Sequence, residues 1–318
     1  MEKKVIGVYA PANPAHIWFE EKYLFAKKQL ENMGFEIVEG NLVKDKRYQG
    51  YRTASAKERA EEMMNLVKNK DIDIMMPVIG GFNSGSLLPY LDFDVIEKSK
   101  KKFLGYSDIT AIQMAILKKT DLKPIYGGSL IPTFGEYEGI SPFLKNTLDN
   151  LFFKKSYSLE EPEFYSNKLL NAFTDEWKTK KREYTKNEGW KILNEGEIEG
   201  EVIGGNIRCF LKLAGTEYFP EVENKMLFIE GLGTSVEGLL THLAQLKQLG
   251  VFDKISGLLI GTFTKIEKEF SVDEIFEIVK SYVPSSLPIA KTQEVGHAKD
   301  SKALKLGEKI NIKNELIV

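Results

Sequence analysis

Short apolar runs alternate with longer stretches whose apolar residues recur at helical spacing, and that alternation leaves few folds open to the chain. Residues 5–9 form the first run, and residues 17–33 carry helical periodicity until Gly34 supplies a stop. Residues 35–39 read as strand, and 55–69 as a helix with Ala56, Ala60, Met63, Met64 and Val67 on one face. The almost continuous apolar run at 72–78 is typical of a parallel strand buried on both faces. A helix-like stretch at 86–98 and a strand at 103–104 extend the rhythm. It predicts an α/β fold with an open, mostly parallel sheet covered by helices on both faces.

Between about 157 and 187 the pattern dissolves into charged and aromatic residues, FTDEWKTKKREYTKNEG among them, which reads as a domain crossing or a loop over a site. Beyond it come strand-like 200–203, 226–229 and 257–261, helical 207–214, 235–249 and 273–282, and a terminal hairpin of 303–306 with 309–312. A chain of 318 residues exceeds the usual size of one core. The expected division is a domain over 1–160, a linker or site loop over 161–188, and a smaller α/β domain over 189–318.

Composition narrows the function classes. No stretch approaches the eighteen or so apolar residues that cross a bilayer, and the N-terminus turns directly into a strand, so a cytoplasmic protein without membrane contact is expected. One cysteine, Cys209, excludes an internal disulfide and a cysteine-rich zinc site. A net charge of −2, with acidic residues flanking the basic clusters at 98–102 and 178–182, argues against a nucleic-acid partner.

In open parallel sheets ligands gather at the C-terminal ends of strands, and four loops there carry chemistry. VIGGFNSGSLLPYLD follows the run ending at Val78, and its Gly80 and Gly81 allow close backbone approach and exposed N–H groups. It fits neither GxGxxG nor the phosphate loop, so no nucleotide cofactor is expected. GYSD, at 105–108, delivers Ser107 from a strand into a very short turn before a helix. That is the geometry of a nucleophile elbow, although Ser and Asp are also common helix caps. Glu230 ends the strand-like MLFIE before two glycines, where a carboxylate can orient an imidazole. Of three histidines, His242 lies within a helix and His16 near a helix start. His297, beside Gly296 in a loop, is better placed as a base. Together Ser107, Glu230 and His297 supply a nucleophile, an orienting group and a base for acyl transfer.

At these same places the sequence resembles the LD-carboxypeptidase family of serine peptidases, which includes the microcin-C immunity peptidases. GYSDIT looks like the nucleophile motif, IGGFNSGSLLPYLDFD like the oxyanion loop, IGGN followed by LFIE like the carboxylate region, and GH like the histidine site. The resemblance implies two α/β domains with the site in the cleft between them, a homodimer, and neither metal nor cofactor. Carried over, Ser107 is the nucleophile, His297 the base, Glu230 its partner, and the backbone N–H groups of Gly81 and Asp108 the oxyanion hole. Gly80, Asn206, Trp177 and Thr234 are implied substrate contacts, with Trp190 the other candidate for a tryptophan that stacks on adenine.

Ile79 stands where LD-carboxypeptidases often carry Arg, which places the chain nearer the immunity branch. Thr234 stands where that branch carries a Lys. The resemblance thus implies hydrolysis of an amide in a small peptide or aminoacyl-nucleotide. A murein tetrapeptide carboxypeptidase is the alternative within the family, and a non-catalytic small-molecule binding protein the alternative outside it.

Overall fold

A computed structural model describes residues 4–153, 162–166, 170, 173–187, 189–193, 198–298, 301–312 and 316–317. The chain divides into two compact units, Met1–Ser141 with Leu170–Arg182, and Pro142–Leu169 with Glu183–Val318. The stretch 161–188 is therefore shared between them.

In the first unit, β1 (Val5–Tyr9), β2 (Glu36–Glu39), β3 (Ile74–Pro77), β4 (Lys102–Gly105) and β5 (Ile125–Tyr126) lie in the order β5-β4-β3-β1-β2, all parallel. Every residue of β3 is buried, as its apolar run requires. The register sets Tyr9 beside Pro77 and Gly105 beside Tyr126, so the loops that follow β1, β3, β4 and β5 emerge in one row.

Helix boundaries follow local chemistry. Ser55 and Glu58 form a reciprocal capping box ahead of the helix Ala56–Lys68. The helix expected over 86–98 is instead a 3-10 segment, Ser84–Tyr90, and a separate helix, Phe93–Ser99. Pro89 lacks the N–H that a continuing helix needs, and Asp92 caps a fresh start by accepting the Val95 N–H at 3.0 Å. The stretch 17–33 likewise breaks at Phe19, between the helices Ala15–Trp18 and Glu20–Asn32, where the Phe19 ring packs edge-on against Phe173.

In the second unit β6 (Phe164–Tyr165) and β7 (Thr185–Lys186) form an antiparallel pair. The main sheet comprises β8 (Lys191–Leu193), β9 (Ile198–Asn206), β10 (Lys225–Gly231), β11 (Gly257–Phe263) and β12 (Ile289–Lys291). After the short β13 (Leu304–Lys305) come β14 (Lys309–Ile312) and β15 (Leu316–Ile317), which complete it in the order β15-β14-β9-β10-β11-β12-β8. The strands β9 to β12 run parallel, and β8, β14 and β15 add antiparallel edges.

The hairpin expected between 303–306 and 309–312 does not form. The Gly307 N–H donates to Val202 O and the Val202 N–H to Glu308 O, so the turn closes onto β9, and β14 pairs along that strand. Among the described residues no helix is long and apolar enough to cross a membrane.

Candidate active site

The junction after β4 departs from ordinary helix capping. Ser107 has φ +61°, in the left-handed region that a residue with a Cβ rarely enters, whereas an N-cap residue is extended. Neither the 3-10 turn Ser107–Ile109 nor the helix Thr110–Lys119 has a side-chain cap. Such backbone strain costs on the order of 1–3 kcal/mol and persists only where its surroundings fix it.

The surroundings do so here. The Ser107 N–H donates to Tyr126 Oη at 3.2 Å, and Thr110 Oγ1 donates to Ser107 O at 2.6 Å. Gln113 Nε2 donates to both Gly105 O (2.9 Å) and Ile125 O (2.8 Å), tying the helix to the ends of β4 and β5. Gly105 is required because a Cβ there would lie 2.6 Å from Ile109 Cγ2. The bare Cα of Gly105 thus accommodates the Ile109 side chain.

The glycine loop after β3 abuts this elbow. A Cβ on Gly80 would lie 3.1 Å from Ser107 Cβ and 3.2 Å from the Asp108 nitrogen. Asp108 is braced to the same loop, since its Oδ2 accepts the Ser84 N–H and its carbonyl accepts Ser84 Oγ–H, each at 2.6 Å. Gly81 has φ +115°. Ser107, Asp108, Gly80 and Gly81 are thus gathered in one place.

In the second unit the parallel register sets Asn206 beside Glu230. Between β10 and β11 the register shifts around Glu230: Ile229 pairs with Ile260 but Gly231 with Phe263, a bulge of the kind that re-aims a side chain. The fully buried Glu230 carboxylate then meets His297, Oε2 to Nδ1 at 2.5 Å. Gly296, at φ +119°, lets the loop close, because a Cβ there would fall 3.1 Å from Glu230 Cβ.

Asn206 caps the helix Ile207–Leu211 by accepting the Cys209 N–H on Oδ1 (3.3 Å). That commits its Nδ2 to Glu230 Oε1 at 3.1 Å. The carboxylate is held at both oxygens, and Oε2 orients the imidazole.

The remaining expected residues are Thr234, Trp177 and Trp190. Thr234 is half-buried in the loop after β10, with its Oγ1 against Gly231. Trp177 sits on the short helix Glu176–Thr179 of the first unit, only 6% exposed, with its ring edge-on to Phe25. Beside it a cavity of about 450 Å³ is lined by Trp18, Phe19 and Phe173 together with Glu21 and Asp175. Trp190 belongs to the second unit, where its Nε1 donates to Glu294 Oε2 at 3.2 Å.

Three structural supports escaped the sequence reading: Asn13, Gln113 and Tyr126. Asn13 and Tyr126 stand at or just after the C-terminal ends of β1 and β5, so the rule that singled out four loops would have reached them had it been applied to all. Gln113 is the one amide in an apolar helical run, a signal for a buried polar contact.

Among the described residues no group of three or more His, Cys, Asp or Glu side chains is disposed to hold a metal ion. The first unit thus holds a strained serine elbow beside a glycine loop, and the second a buried carboxylate–imidazole pair. Residues 6–127 match the LD-carboxypeptidase N-terminal domain and residues 199–312 the LD-carboxypeptidase C-terminal domain. The chain belongs to the LD-carboxypeptidase family, S66, of serine hydrolases.

Within that family it is 32% identical over 312 residues to the microcin C7 self-immunity protein MccF of Escherichia coli, covering 96% of this chain and 90% of that protein. It is 28% identical over 310 residues to a probable murein peptide carboxypeptidase of Bacillus subtilis, covering 96% and 87%. The solved structure of MccF in complex with aspartyl sulfamoyl adenosine aligns with a TM-score of 0.88 at 31% identity, over 97% of this chain and 92% of that one.

Proposed function

We propose that the protein is a serine carboxypeptidase or amidase that hydrolyses, without a metal, the amide of a small peptide or aminoacyl-nucleotide. Its triad is Ser107, His297 and Glu230. The reading rests above all on Ser107, a non-glycine residue held at positive φ where strand gives way to helix and where the missing Cβ of Gly80 leaves room beside its Oγ. Ser107 Oγ attacks the carbonyl carbon while its proton passes to His297 Nε2, with Nδ1–H held by Glu230. The tetrahedral oxyanion accepts from the N–H groups of Gly81 and Asp108. Collapse breaks the C–N bond as His297 returns the proton to the leaving nitrogen. Water then attacks the acyl-enzyme by the same relay, releasing the acid and restoring Ser107.

Gly80, Asn206 and Thr234 are assigned to the substrate side, and Trp177 would have to leave its packing on Phe25 to stack on a base. The binding of aspartyl sulfamoyl adenosine by MccF supports the aminoacyl-nucleotide class. The murein peptide class is supported by the Bacillus subtilis relative and by Thr234, which offers no cation to an acidic side chain. We take the working form to be a homodimer, as the family resemblance implies, and its location to be the cytoplasm; sedimentation would test the dimer.

Mass-spectrometric product analysis with murein tetrapeptide and with aspartyl sulfamoyl adenosine separates the two substrate classes, since one is expected to turn over efficiently. A folded Ser107→Ala variant is expected to lose hydrolysis of either. Full retention would overturn the reading, and inert Ser107 toward a serine-directed phosphonate together with tight ligand binding would favour a non-catalytic binding protein.

A further inference from the structure

The loop after β1 reaches the glycine loop through one residue, Asn13, by both its main chain and its side chain. Its main-chain N–H donates to Gly80 O at 3.4 Å, and its Oδ1 accepts the Phe82 N–H at 3.1 Å. The two bonds bracket Gly81. Its carboxamide also fills the space a side chain at position 81 would need: a Cβ on Gly81 would lie 2.4 Å from both Asn13 Cγ and Nδ2, and 2.8 Å from Oδ1. The positive φ of Gly81 and the pressure of Asn13 therefore demand glycine independently.

The direction of the Gly81 N–H follows from the same contacts. Across a trans peptide the C=O and N–H point to opposite edges of one plane. With Gly80 O turned onto the Asn13 nitrogen, the N–H of Gly81 is directed away from Asn13. Gly80, the other residue of that peptide, is the one in contact with Ser107 and the Asp108 nitrogen.

Asn13 is itself held from behind by the helix Ala56–Lys68. Ala10 N–H donates to Glu62 Oε2 at 2.9 Å, and Arg59 Nη1 donates to Pro11 O. The same Arg59 reaches Ser86 Oγ through Nη2 at 3.1 Å, just beyond the glycine loop. One buried helix thus fixes both partners of the Asn13 contact.

We infer that Asn13 is the positioning residue of the oxyanion hole: its main-chain N–H on Gly80 O and its side-chain Oδ1 on the Phe82 N–H together hold the peptides on both sides of Gly81, so that the Gly81 N–H is presented to the developing oxyanion. The inference rests on the triad reading above and adds to it a side chain that touches neither substrate nor the reacting atoms. A donor that must find its orientation during the reaction stabilises the transition state less than one already fixed.

The test is steady-state kinetics of Asn13→Ala, Gly81→Ala and the double variant, with Ser107→Ala in parallel and near-ultraviolet circular dichroism to establish folding. Asn13→Ala keeps the main-chain bond to Gly80 O but removes the Phe82 N–H acceptor and the carboxamide packed on Gly81, and is expected to lower kcat about tenfold with KM within threefold of wild type, less than the loss of a whole transition-state donor. Affinity for a boronic acid or trifluoromethyl ketone analogue of the substrate should weaken by the same factor. Because Asn13 and Gly81 act as one element, the double variant is expected to be no worse than the poorer single variant.

A kcat within threefold of wild type, a rise in KM alone, or losses that multiply in the double variant would overturn the inference. Should Asn13→Ala not fold, Gly81→Ala carries the analogue-binding test by itself, and unchanged analogue affinity there overturns it as well. Retained hydrolysis in Ser107→Ala would instead overturn the triad reading. An inactive Ser107→Ala beside a fully active Asn13→Ala would overturn only the role of Asn13.

Discussion

Replacing Glu230 by Gln tests the acid–base part of the proposed triad through the identity of one proton. Asn206 is committed by the Cys209 N–H, which accepts no substitute for an oxygen at Oδ1, so Nδ2 must face position 230. In Glu230→Gln the end of the new amide that meets Nδ2 must be its carbonyl. The NH2 end then faces His297 Nδ1, which has to accept, and the imidazole proton moves to Nε2. An imidazole protonated at Nε2 cannot take a proton from Ser107. The analogous carboxylate-to-amide change in a Ser-His-Asp triad lowers kcat about 10⁴-fold, equivalent to about 5 kcal/mol. The reverse orientation of the amide sets two donors against each other in a buried site, at about 1–3 kcal/mol, and so would populate the useful tautomer at a level of about one in five to one in 150.

Three histidines make the ring nitrogens easy to resolve by long-range ¹H–¹⁵N correlation. Neutral His297 is expected to carry its proton on Nδ1 in the wild type and on Nε2 in Glu230→Gln. The combination Asn206→Asp with Glu230→Gln restores the polarity: a carboxylate at 206 still caps the Cys209 N–H, accepts from the amide, and turns the carbonyl back toward Nδ1. That double variant should recover on the order of 10- to 100-fold of the kcat lost, the part due to the tautomer. Activity of Glu230→Gln within tenfold of wild type, or an Nδ1–H signal persisting in that variant, would refute the reasoning.

Tyr126→Phe removes the acceptor of the Ser107 N–H, and should cost about 1–2 kcal/mol in urea unfolding and lower kcat with KM unchanged; a raised KM with kcat unchanged would place Tyr126 in substrate binding instead. Arg182 donates to Glu136 through Nε and Nη2, each at 2.5 Å and both residues buried, which anchors the segment carrying Trp177 to the first unit. Arg182→Met removes both of these donors from a buried carboxylate, with Lys22 no nearer than 3.8 Å, so a loss of about 3 kcal/mol is expected by thermal or denaturant unfolding.

Two buried groups give opposing pH dependences. Burial pushes Glu62 up to about 7 despite three backbone N–H donors, so its contribution to stability falls as pH rises from about 4.5 to 7. Burial pulls His16 down to about 4, so its contribution is present above 6.5 and lost as pH falls toward 4. Each is worth at most about 3 kcal/mol. Relative to wild type, melting of Glu62→Gln should improve as pH rises through this window and that of His16→Phe should improve as pH falls; parallel curves would refute both assignments.

The alternating pattern was enough to anticipate the layered α/β architecture because buried parallel strands and amphipathic helices differ in period, a property of the local sequence. What failed locally failed for local reasons that were visible but underweighted. Pro89 sat inside an otherwise helical spacing at 86–98, and Asp92 already offered the new cap. The terminal hairpin failed for a non-local reason: nothing within 303–312 reports that β9 offers Val202 N–H and C=O to its turn.

The candidate site divides in the same way. Ser107, Glu230 and His297 could be picked out because strand ends are readable and because few residue types attack, orient or accept a proton. Their supports show in the chain only as strand-end positions or a lone amide, since what each one holds depends on neighbours in a sheet. Asn13 meets Gly81 only because β1 and β3 are adjacent with Tyr9 beside Pro77, and Asn206 meets Glu230 only because β9 and β10 run in register. A side chain's chemistry can therefore be proposed from its type and its place in the strand-loop pattern. The orientation of the proton or peptide it acts on is set by strand order, and that is the information a single sequence carries least directly.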